Sequence, residues 1–565
     1  MNSINRRSVL LAGLGAAGAG ALAACSNGSG DPSAEPTLIS PHGPQVAAVD
    51  KKRKSTGKVQ KTTLTAAPAV LDLGGGVMAK SWAFSGRTPG KELRLSAGDT
   101  LAAELSNQLP NKTTTSIHWH GVALRADMDG VPPATQAAVR AGSNYTYRFI
   151  ADTPGTYFFH PHVGVQLDRG LYAPLIVEDP REPLTYDDEW VVVLDDWVDG
   201  VTGTPDEVFA ELKQGMGDMG GMDMESPSSS SQNMGDMGGM DMGSSSSSSH
   251  DMGDMGGMDM SGGSMDGMSA SPSPSGGGMS MRFMLMHSDS GLLGGDAGDV
   301  KYPYHLINGR VPAAPDVYTA KPGTRVRLRI INAGGDTAYR VALGGHKMTI
   351  THTDGFPIQH QQVDAVLVGM GERYDVLVTL TDGVFPLVAL AEGKNATGMA
   401  LVRTGSGSAP KPTVRPAELN GMITSASQLK AADDARLSPR KADRVHRIEL
   451  TGDMAAYNWA INGKRFDMNE PTANPILVEE GQRVRLDLVN DTTMWHPMHL
   501  HGHTYQLGTD GPRKDTTIVL PKKTVSVYFD ADNPGQWMLH CHNAYHGEAG
   551  MMALVAYQAR NRVGK

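Results

Sequence analysis

Cysteine is nearly absent from this chain. Among 565 residues only Cys25 and Cys541 occur. If each serves its own chemical role, as the motifs below indicate, no intramolecular disulfide is left. The fold must then be stabilised by apolar cores, which a chain of this length can bury. The length itself suggests three or four domains.

Long apolar runs and long helical periods are missing as well. The apolar run at residues 9–24 is shorter than the roughly 20 residues that span a membrane comfortably. Short strand-like runs at residues 93–95, 145–149 and 156–159 alternate with Gly and Pro, which predicts an all-β fold of sandwich type. The formal charge of −10 argues against nucleic acid as a partner.

The N-terminus has the pattern of an export signal. Arg6 and Arg7 form a twin arginine before the apolar run, and Leu22-Ala23-Ala24-Cys25 resembles a lipoprotein cleavage box. We therefore predict a twin-arginine lipoprotein signal at 1–25, with a lipid on Cys25. A Sec-type signal or an uncleaved anchor is the alternative. Residues 26–60, rich in Ser, Pro, Gly and Lys, are predicted to be a flexible tether.

Paired histidines recur at four places. Three have the spacing His-x-His, at 118–120, 160–162 and 499–501. The fourth places His540 and His542 on either side of Cys541, followed by His546 and Met551. Thiolate, imidazole and thioether are the donors of a blue-copper centre. Neighbours in a strand point to opposite faces, so if Cys541 faces one metal its two His neighbours face another.

The four motifs, in this order, resemble those of three-domain, laccase-like multicopper oxidases, and within that family the bacterial copper-resistance, or cuprous oxidase, branch. The resemblance covers roughly residues 60–560. It implies three cupredoxin-like Greek-key β-sandwich domains and four copper ions: one type 1, one type 2 and a type 3 pair. It also implies O₂ as the oxidant. A closed tetrahedral zinc site would need only four ligands, far fewer than are present.

The resemblance assigns the ligands one by one. The type 1 copper takes His496, Cys541, His546 and the axial Met551; the type 2 copper takes His118 and His499; the type 3 pair takes His120, His160, His162, His501, His540 and His542. His503 belongs to a motif but is predicted to orient another ligand.

An internal repeat predicts the domain boundaries. A Gly, a strand and an Asn recur at 98–107, 323–332 and 481–490. We predict domain one at 61–182, domain two at 183–404, a linker at 405–441 with a short helix near 425–435, and domain three at 442–565 with the type 1 copper. The His-x-His pairs occur only in the outer domains, so a copper cluster is expected at their interface. Domain two is predicted to be structural.

A Met-rich run interrupts domain two at about 215–281. It contains the nonamer MGDMGGMDM three times, in a Ser/Gly background, and eighteen of the 32 methionines lie between Met216 and Met286. With few other apolar residues it is predicted to be disordered. Thioethers select Cu(I), so we interpret the run as a copper-scavenging loop. An inert loop is the alternative.

Acidic residues near the motifs are candidates for supplying protons. Asp129 matches the acid that the family uses near the trinuclear site. The family's second acid directly follows the type 1 His, where this chain has Gly547, so Glu548 is the substitute candidate. Asp467 and Met468 resemble the segment that precedes the third motif in cuprous oxidases, and are candidates for holding a substrate Cu(I).

The leading hypothesis is an exported enzyme that oxidises Cu(I), reduces O₂ to water and so gives copper tolerance. A general laccase acting on phenols or a ferroxidase is the enzymatic alternative, and a copper-storage lipoprotein the non-enzymatic one. We expect a monomer in the cell envelope, on the outer face of the membrane or in the periplasm, attached through a lipid on Cys25, with a small reducing substrate.

Overall fold

The structure, a computed structural model, describes residues 37–214, 281–286 and 288–559. The predicted signal at 1–25 and almost all of the Met-rich run lie outside these residues. In the described part, strands dominate and pair into three β-sandwiches, each with two sheets. The all-β, cupredoxin-like fold predicted from the sequence is therefore confirmed.

The first sandwich begins after a short helix, α1 (Pro44–Asp50). Its strands are β1 (Val59–Gly74), β2 (Val77–Phe84), β3 (Leu93–Ser96), β4 (Asp99–Asn107), β5 (His118–His120), β6 (Asn144–Ala151), β7 (Gly155–His160) and β8 (Ala173–Glu178). They form two sheets of order β2-β1-β4-β6 and β3-β8-β7-β5. Both sheets contribute to one apolar core, as two half-buried sheet faces must.

The second sandwich has two six-stranded sheets of order β12-β9-β14-β19-β16-β17 and β13-β21-β20-β15-β18-β22. Its elements are β9 (Asp188–Trp197), α2 (Pro205–Gln214), β10 (Asp289–Ser290), β11 (Gly295–Asp296), β12 (Tyr304–Ile307), β13 (Val317–Thr319), β14 (Arg325–Asn332), β15 (Tyr339–Leu343), β16 (Met348–Thr353), β17 (Phe356–Val363), β18 (Ala365–Val368), β19 (Arg373–Thr379), β20 (Val384–Ala391), β21 (Ala396–Arg403) and β22 (Ile423–Thr424).

The third sandwich has sheets of order β24-β23-β26-β31-β28-β29 and β25-β33-β32-β27-β30. Its elements are β23 (Arg444–Thr451), β24 (Ala460–Ile461), β25 (Ile476–Val478), β26 (Arg483–Asn490), β27 (His496–Leu500), β28 (Tyr505–Leu507), β29 (Arg513–Lys514), β30 (Thr516–Val519), β31 (Thr524–Asp530), β32 (Gln536–Cys541), α3 (Ala544–Ala549) and β33 (Met552–Tyr557). Strands β27 and β32 are buried along their whole length, so both of their faces are covered.

The repeated Asn has the same role in all three sandwiches. Each lies at the end of a strand (β4, β14 and β26), and its side-chain amide bridges two backbone carbonyls of neighbouring segments, which buried carbonyls require. The bridges run from Asn107 to Thr113 and Val139, from Asn332 to Thr337 and Val368, and from Asn490 to Met494 and Val519.

The predicted tether at 26–60 is wrong where the structure describes it. Residues 44–50 form α1, Val46 is buried, and Ile39 donates a backbone hydrogen bond to Tyr557 in the third sandwich. The Arg53 guanidinium donates to Asp152 at 3.1 Å. Composition alone predicts a tether here because the contacts that hold the segment involve few residues, among them Ile39, Val46 and Arg53. The short helix predicted near 425–435 is only a single 3₁₀ turn, Ala426–Gln428.

Candidate functional site

Corresponding strands of the first and third sandwiches carry the paired histidines. In the first, β5 pairs with β7 and sets His118 opposite His160. In the third, β27 pairs with β32 and sets His499 opposite His540. The two strand pairs meet face to face. The rings of His118 and His501 stack with centroids 3.7 Å apart, and those of His120 and His499 with centroids 3.8 Å apart.

The structure thus brings together all eight histidines predicted for the type 2 and type 3 coppers. We call this set the histidine cluster: His118, His120, His160, His162, His499, His501, His540 and His542. Histidines that meet across the two sandwiches are far apart in sequence, so only the tertiary fold assembles the cluster.

Backbone carbonyls fix which nitrogen of each ring faces the interior. Nδ1 of four histidines lies 2.9–3.0 Å from a carbonyl oxygen, which can only accept a hydrogen bond, so Nδ1 carries the proton. The four pairs are His118 with Asp129, His160 with Pro161, His499 with Asp515, and His540 with Cys541. The unprotonated Nε2 atoms then point to the centre of the cluster.

These inward nitrogens crowd one another. Nε2 of His118 lies 3.4 Å from Nε2 of His499, and Nε2 of His501 lies 3.1 Å from Nε2 of His540. Where two such atoms both carry lone pairs, no hydrogen bond can form between them. Nitrogens at this spacing are instead suited to share a metal ion.

His120 is turned the other way. Its Nε2 donates to Asp515 Oδ1 at 3.1 Å, while its buried Nδ1 has no hydrogen-bond partner in the protein. Nε2 of His160 and both ring nitrogens of His542 are also buried without a partner. Buried polar atoms are normally satisfied, so these orphaned nitrogens fit bound metal. Copper is compatible with this imidazole set.

The pKa values favour the neutral, metal-binding form. Burial, and then the charges of neighbouring histidines, hold the pKa of His160, His162 and His501 well below the usual range. The same holds for the pKa of His540 and His542. Neutral imidazole is the ligand form, so little proton release is needed when a metal binds the cluster.

The second metal-ligating group lies on the other face of β32. Cys541 Sγ is 3.6 Å from His496 Nδ1 and 3.8 Å from His546 Nδ1, and those two nitrogens are 3.1 Å apart. Met551 is fully buried in the same core. We call these four residues the type 1 group. The prediction that Cys541 faces away from its His neighbours holds in the geometry.

A carboxylate from the second sandwich contacts the type 1 group, and no sequence motif pointed to it. Asp299, on the segment before β12, lies 2.9 Å from His546 Nε2 and accepts from the Tyr457 hydroxyl at 2.8 Å. Burial is the largest effect and lowers the pKa of His546, but the charge and hydrogen bond of Asp299, together with the contact with Cys541, raise that pKa to about 10.

Asp129 contacts two residues of the histidine cluster. Its Oδ2 accepts from His501 Nδ1 at 2.9 Å, and its Oδ1 is 3.2 Å from His118 Nδ1. The carboxylate is fully buried, and Oδ1 has no formal hydrogen-bond partner. The structure thus places Asp129 beside the cluster, as the sequence predicts. Its role in supplying protons stays a prediction.

A second buried carboxylate, Asp515, has no counterpart among the residues predicted from the sequence. It touches His120 and His499 and forms a bidentate ion pair with Arg373 of the second sandwich, at 2.7 and 2.6 Å. Arg373 also donates to the backbone oxygen of Thr156 in the first sandwich. All three sandwiches therefore meet at this pair. Asp515 lies in no histidine motif, so spacing could not single it out.

A small cavity of about 40 Å³ lies beside the histidine cluster. Its lining includes Cys541, His540, His542, Met468 and Glu548. Burial raises the pKa of the Glu548 carboxyl, because the charged form loses hydration. Met468 and Glu548 therefore line one small cavity together with residues of the histidine cluster.

Asp467 does not join Met468. Its Oδ1 accepts from the backbone and side-chain nitrogens of Asn469, and it lines a separate surface groove. The predicted Asp467–Met468 pair is therefore divided in this structure.

Three further histidines of the described residues have ordinary hydrogen-bond partners. His503 has its Nδ1 3.1 Å from the His501 carbonyl oxygen and its Nε2 2.7 Å from the Tyr557 hydroxyl, and its orienting role stays a prediction. His305 bonds to Tyr339, and His446 to the Leu477 carbonyl.

Comparisons with known proteins agree with this geometry. Sequence models of the multicopper oxidase family match residues 67–182, 280–407 and 439–561. The chain is 43% identical over 551 residues to the multicopper oxidase MmcO of Mycobacterium tuberculosis, covering 96% of this chain and 95% of that one. It is 28% identical to a copper resistance protein A homolog of Pseudomonas syringae, covering 84% and 88%.

Among solved structures, a laccase from Botrytis aclada superposes with a TM-score of 0.66 at 22% identity, covering 92% of this chain and 91% of that one. At this identity the likeness concerns the fold alone.

Proposed function

The chain belongs to the multicopper oxidase family, and on that premise we propose that it oxidises Cu(I) at the type 1 group and reduces O₂ to water at the histidine cluster. Four copper ions would be held: one by the type 1 group, one by His118 and His499, and a pair by the other six histidines. Bound copper supplies the one-electron steps and the reduction of O₂.

The protein's own residues connect the two groups. Cys541 is bonded through the backbone to His540 and His542, so an electron path of covalent bonds runs from the type 1 group to the cluster. Asp129 is placed to hold a proton beside His501. The buried surroundings exclude bulk water from both groups, which limits the escape of reactive oxygen species.

One observation carries the choice of substrate: Met468 lines the cavity of about 40 Å³ whose lining also includes Cys541 and four residues of the histidine cluster. A thioether is a soft donor that prefers Cu(I). The cavity holds an ion or a few waters but is too small for a phenol. His496 and His546 are themselves fully buried, so a bulky substrate has no direct contact with them.

The Met468→Leu variant tests this proposal. We expect it to lower the efficiency of Cu(I) oxidation about tenfold or more, mainly through KM, since one donor to the incoming ion is lost. Oxidation of Fe(II) and of a phenol should be unchanged. Steady-state oxygen consumption with the three substrates is the measurement.

Met78→Leu is the matched control, because Met78 is 53% exposed on the first sandwich. Unchanged Cu(I) kinetics in Met468→Leu would remove Met468 from substrate binding. If the parent enzyme prefers the phenol or Fe(II), it is a general laccase or a ferroxidase. If it oxidises none of the three, copper storage is the better description.

We further propose that the Met-rich run delivers Cu(I) to this region. Both of its described flanks attach beside the type 1 group: Leu212 before it, and Phe283 and Met284 after it, are buried in the same core as Cys541. The Glu211 carboxylate accepts the backbone N–H groups of residues 282–284 at 2.8–3.1 Å. The two flanks are thus held together, which supports an insertion between adjacent points of the fold.

Replacing residues 215–280 by a short Gly/Ser linker should leave folding and copper content intact. Met281 is retained because it packs on the core. We expect slower Cu(I) oxidation at limiting copper and an unchanged rate at saturation, because tethered thioethers raise the local Cu(I) concentration. A variant with every Met of the three nonamers changed to Ser, at full length, should behave like the replacement. Wild-type kinetics at low Cu(I) in both variants would mean that the run is a spacer.

We propose that the protein is exported by the twin-arginine route and anchored by a lipid on Cys25. Among the described residues no helix is long and apolar enough to cross a bilayer. Membrane fractionation of wild type and Cys25→Ser is the test: we expect the variant to move to the soluble fraction. An equal distribution of the two would contradict the anchor.

A further inference from the structure

The helix that carries His546 is short and cannot fix its own position. α3 has six residues, too few for a helix to be stable alone. Its N-cap is Asn543, whose side-chain oxygen accepts from the backbone N–H groups of Tyr545 and His546 at 3.0 and 3.2 Å. The orientation of His546 therefore depends on what holds Asn543.

Asn543 is held from the second sandwich. Its amide group donates to Asp336 Oδ1 at 2.6 Å, across 207 positions of sequence. The neighbouring Gly335 carbonyl accepts from the Ala544 backbone N–H at 2.9 Å. The loop between β14 and β15 is thus hydrogen-bonded to the first turn of α3.

The same carboxylate also fixes the partner on the other side of His546. Asp336 accepts the backbone N–H of Asp299 at 3.2 and 3.0 Å, and that of Val300 at 3.0 Å. Asp299 in turn lies 2.9 Å from His546 Nε2. Asp336 is therefore linked to His546 in two ways. Through Asn543 it is linked to the backbone N–H of His546, and through Asp299 to the His546 ring.

The charge of Asp336 is balanced locally. Lys394 Nζ lies 2.5 Å from Asp336 Oδ2, and both side chains are almost completely buried, at 3% and 0% exposure. A paired, fully hydrogen-bonded buried charge is rigid, and breaking one of its bonds is costly. The Asp336–Lys394 pair is thus a rigid, buried ion pair that holds the Asp336 carboxylate in place.

We propose that Asp336 is a positioning residue for the type 1 group, setting the placement of His546 from the second sandwich. Its two oxygens accept on opposite sides, from Asn543 on one and from Val300 and Lys394 on the other. An amide offers a single acceptor oxygen. In Asp336→Asn the NH₂ group must therefore face one of these donors. The hydrogen bonds on that side, either to Asn543 or to Val300 and Lys394, are then lost.

Three variants test the proposal in the copper-loaded, full-length protein. Asp336→Asn breaks the support. Asn543→Ser keeps a good N-cap but cannot reach Asp336, so it isolates the link between them. Glu392→Gln is the matched control: it removes a buried carboxylate of the same sandwich, which pairs with Arg340 and, among the described hydrogen bonds, contacts no residue of α3.

We expect Asp336→Asn and Asn543→Ser to change the visible absorption and the electron paramagnetic resonance signal of the type 1 copper. We also expect its retention against a chelator to weaken about 10–100-fold, as is usual when a partner of a metal ligand is lost. Glu392→Gln should lower the unfolding temperature but keep the native type 1 spectrum. The copper held by the histidine cluster should be retained in all three.

Wild-type spectrum and copper retention in Asn543→Ser would overturn the proposal, whether or not Asp336→Asn folds. A spectral change of the same size in Glu392→Gln would also overturn it, because general destabilisation would then explain the effect. The proposal does not depend on the identity of the reducing substrate.

Discussion

Cys541→Ser should abolish both the blue colour and the turnover of the enzyme. The thiolate lies between His496 and His546, at 3.6 and 3.8 Å from their Nδ1 atoms, and a hydroxyl cannot replace it as a soft ligand. It also begins the covalent path to His540 and His542. We expect oxygen consumption to fall to background, and the intense charge-transfer band of a copper–thiolate bond to disappear.

Cys25→Ser is the control for this experiment, because it removes the chain's only other thiol. Its spectrum and specific activity should equal those of the wild type. Copper analysis adds a further check: Cys541→Ser should retain the copper of the histidine cluster, whose ligands remain. A blue and active Cys541→Ser protein would sink the assignment of the type 1 group.

Asp129→Asn should slow O₂ reduction while copper remains bound. The amide oxygen can still accept from His501 Nδ1, so the cluster's geometry is preserved. The variant cannot supply a proton, and such general acid catalysis contributes about 10²–10⁴-fold. Oxygen consumption measured across pH, together with copper content, is the measurement.

Asp127→Asn is the matched control, since Asp127 lies two positions away but pairs with Arg125 at 2.6 Å. We expect near-normal turnover there. Asp129→Ala should go further than Asp129→Asn and loosen copper as well, because His501 loses its acceptor. Turnover of Asp129→Asn equal to wild type at every pH would exclude Asp129 from proton supply.

The sequence is sufficient for the residues whose type and spacing are themselves the signal. The histidine pairs and Cys541 lie on strands, where alternation decides the facing direction, so the amino-acid pattern alone predicts how they group. The repeated Gly-strand-Asn unit likewise predicts three sandwiches. At these positions the residues that the local pattern groups together are also the residues that meet in the folded chain.

The supporting carboxylates could not be predicted in this way. Asp299, Asp336 and Asp515 lie in no motif, and each acts on a residue hundreds of positions away. Because domain two has no Cys and no paired His, its sequence predicts a purely structural role. In the folded chain domain two supplies two of these carboxylates: Asp299 contacts His546, and Asp336 accepts from Asn543.

At the N-terminus and at Asp467, the structure differs from what the sequence predicts. Composition predicts a tether, but Ile39 and Val46 dock the segment. Resemblance pairs Asp467 with Met468, whereas in the structure the two residues line different cavities. Both depend on contacts that a local pattern does not contain.

The crossing of the histidine cluster between the first and third sandwiches has a consequence for the order of events during synthesis. His118 meets His499 only after another 381 residues have been made, and Asp515 needs Arg373 in place. A nascent chain therefore displays half a set of imidazoles for most of its time on the ribosome, able to capture the wrong metal. Correct loading has to follow completion of the whole chain, so a truncated protein that folds its first two sandwiches should acquire no functional copper.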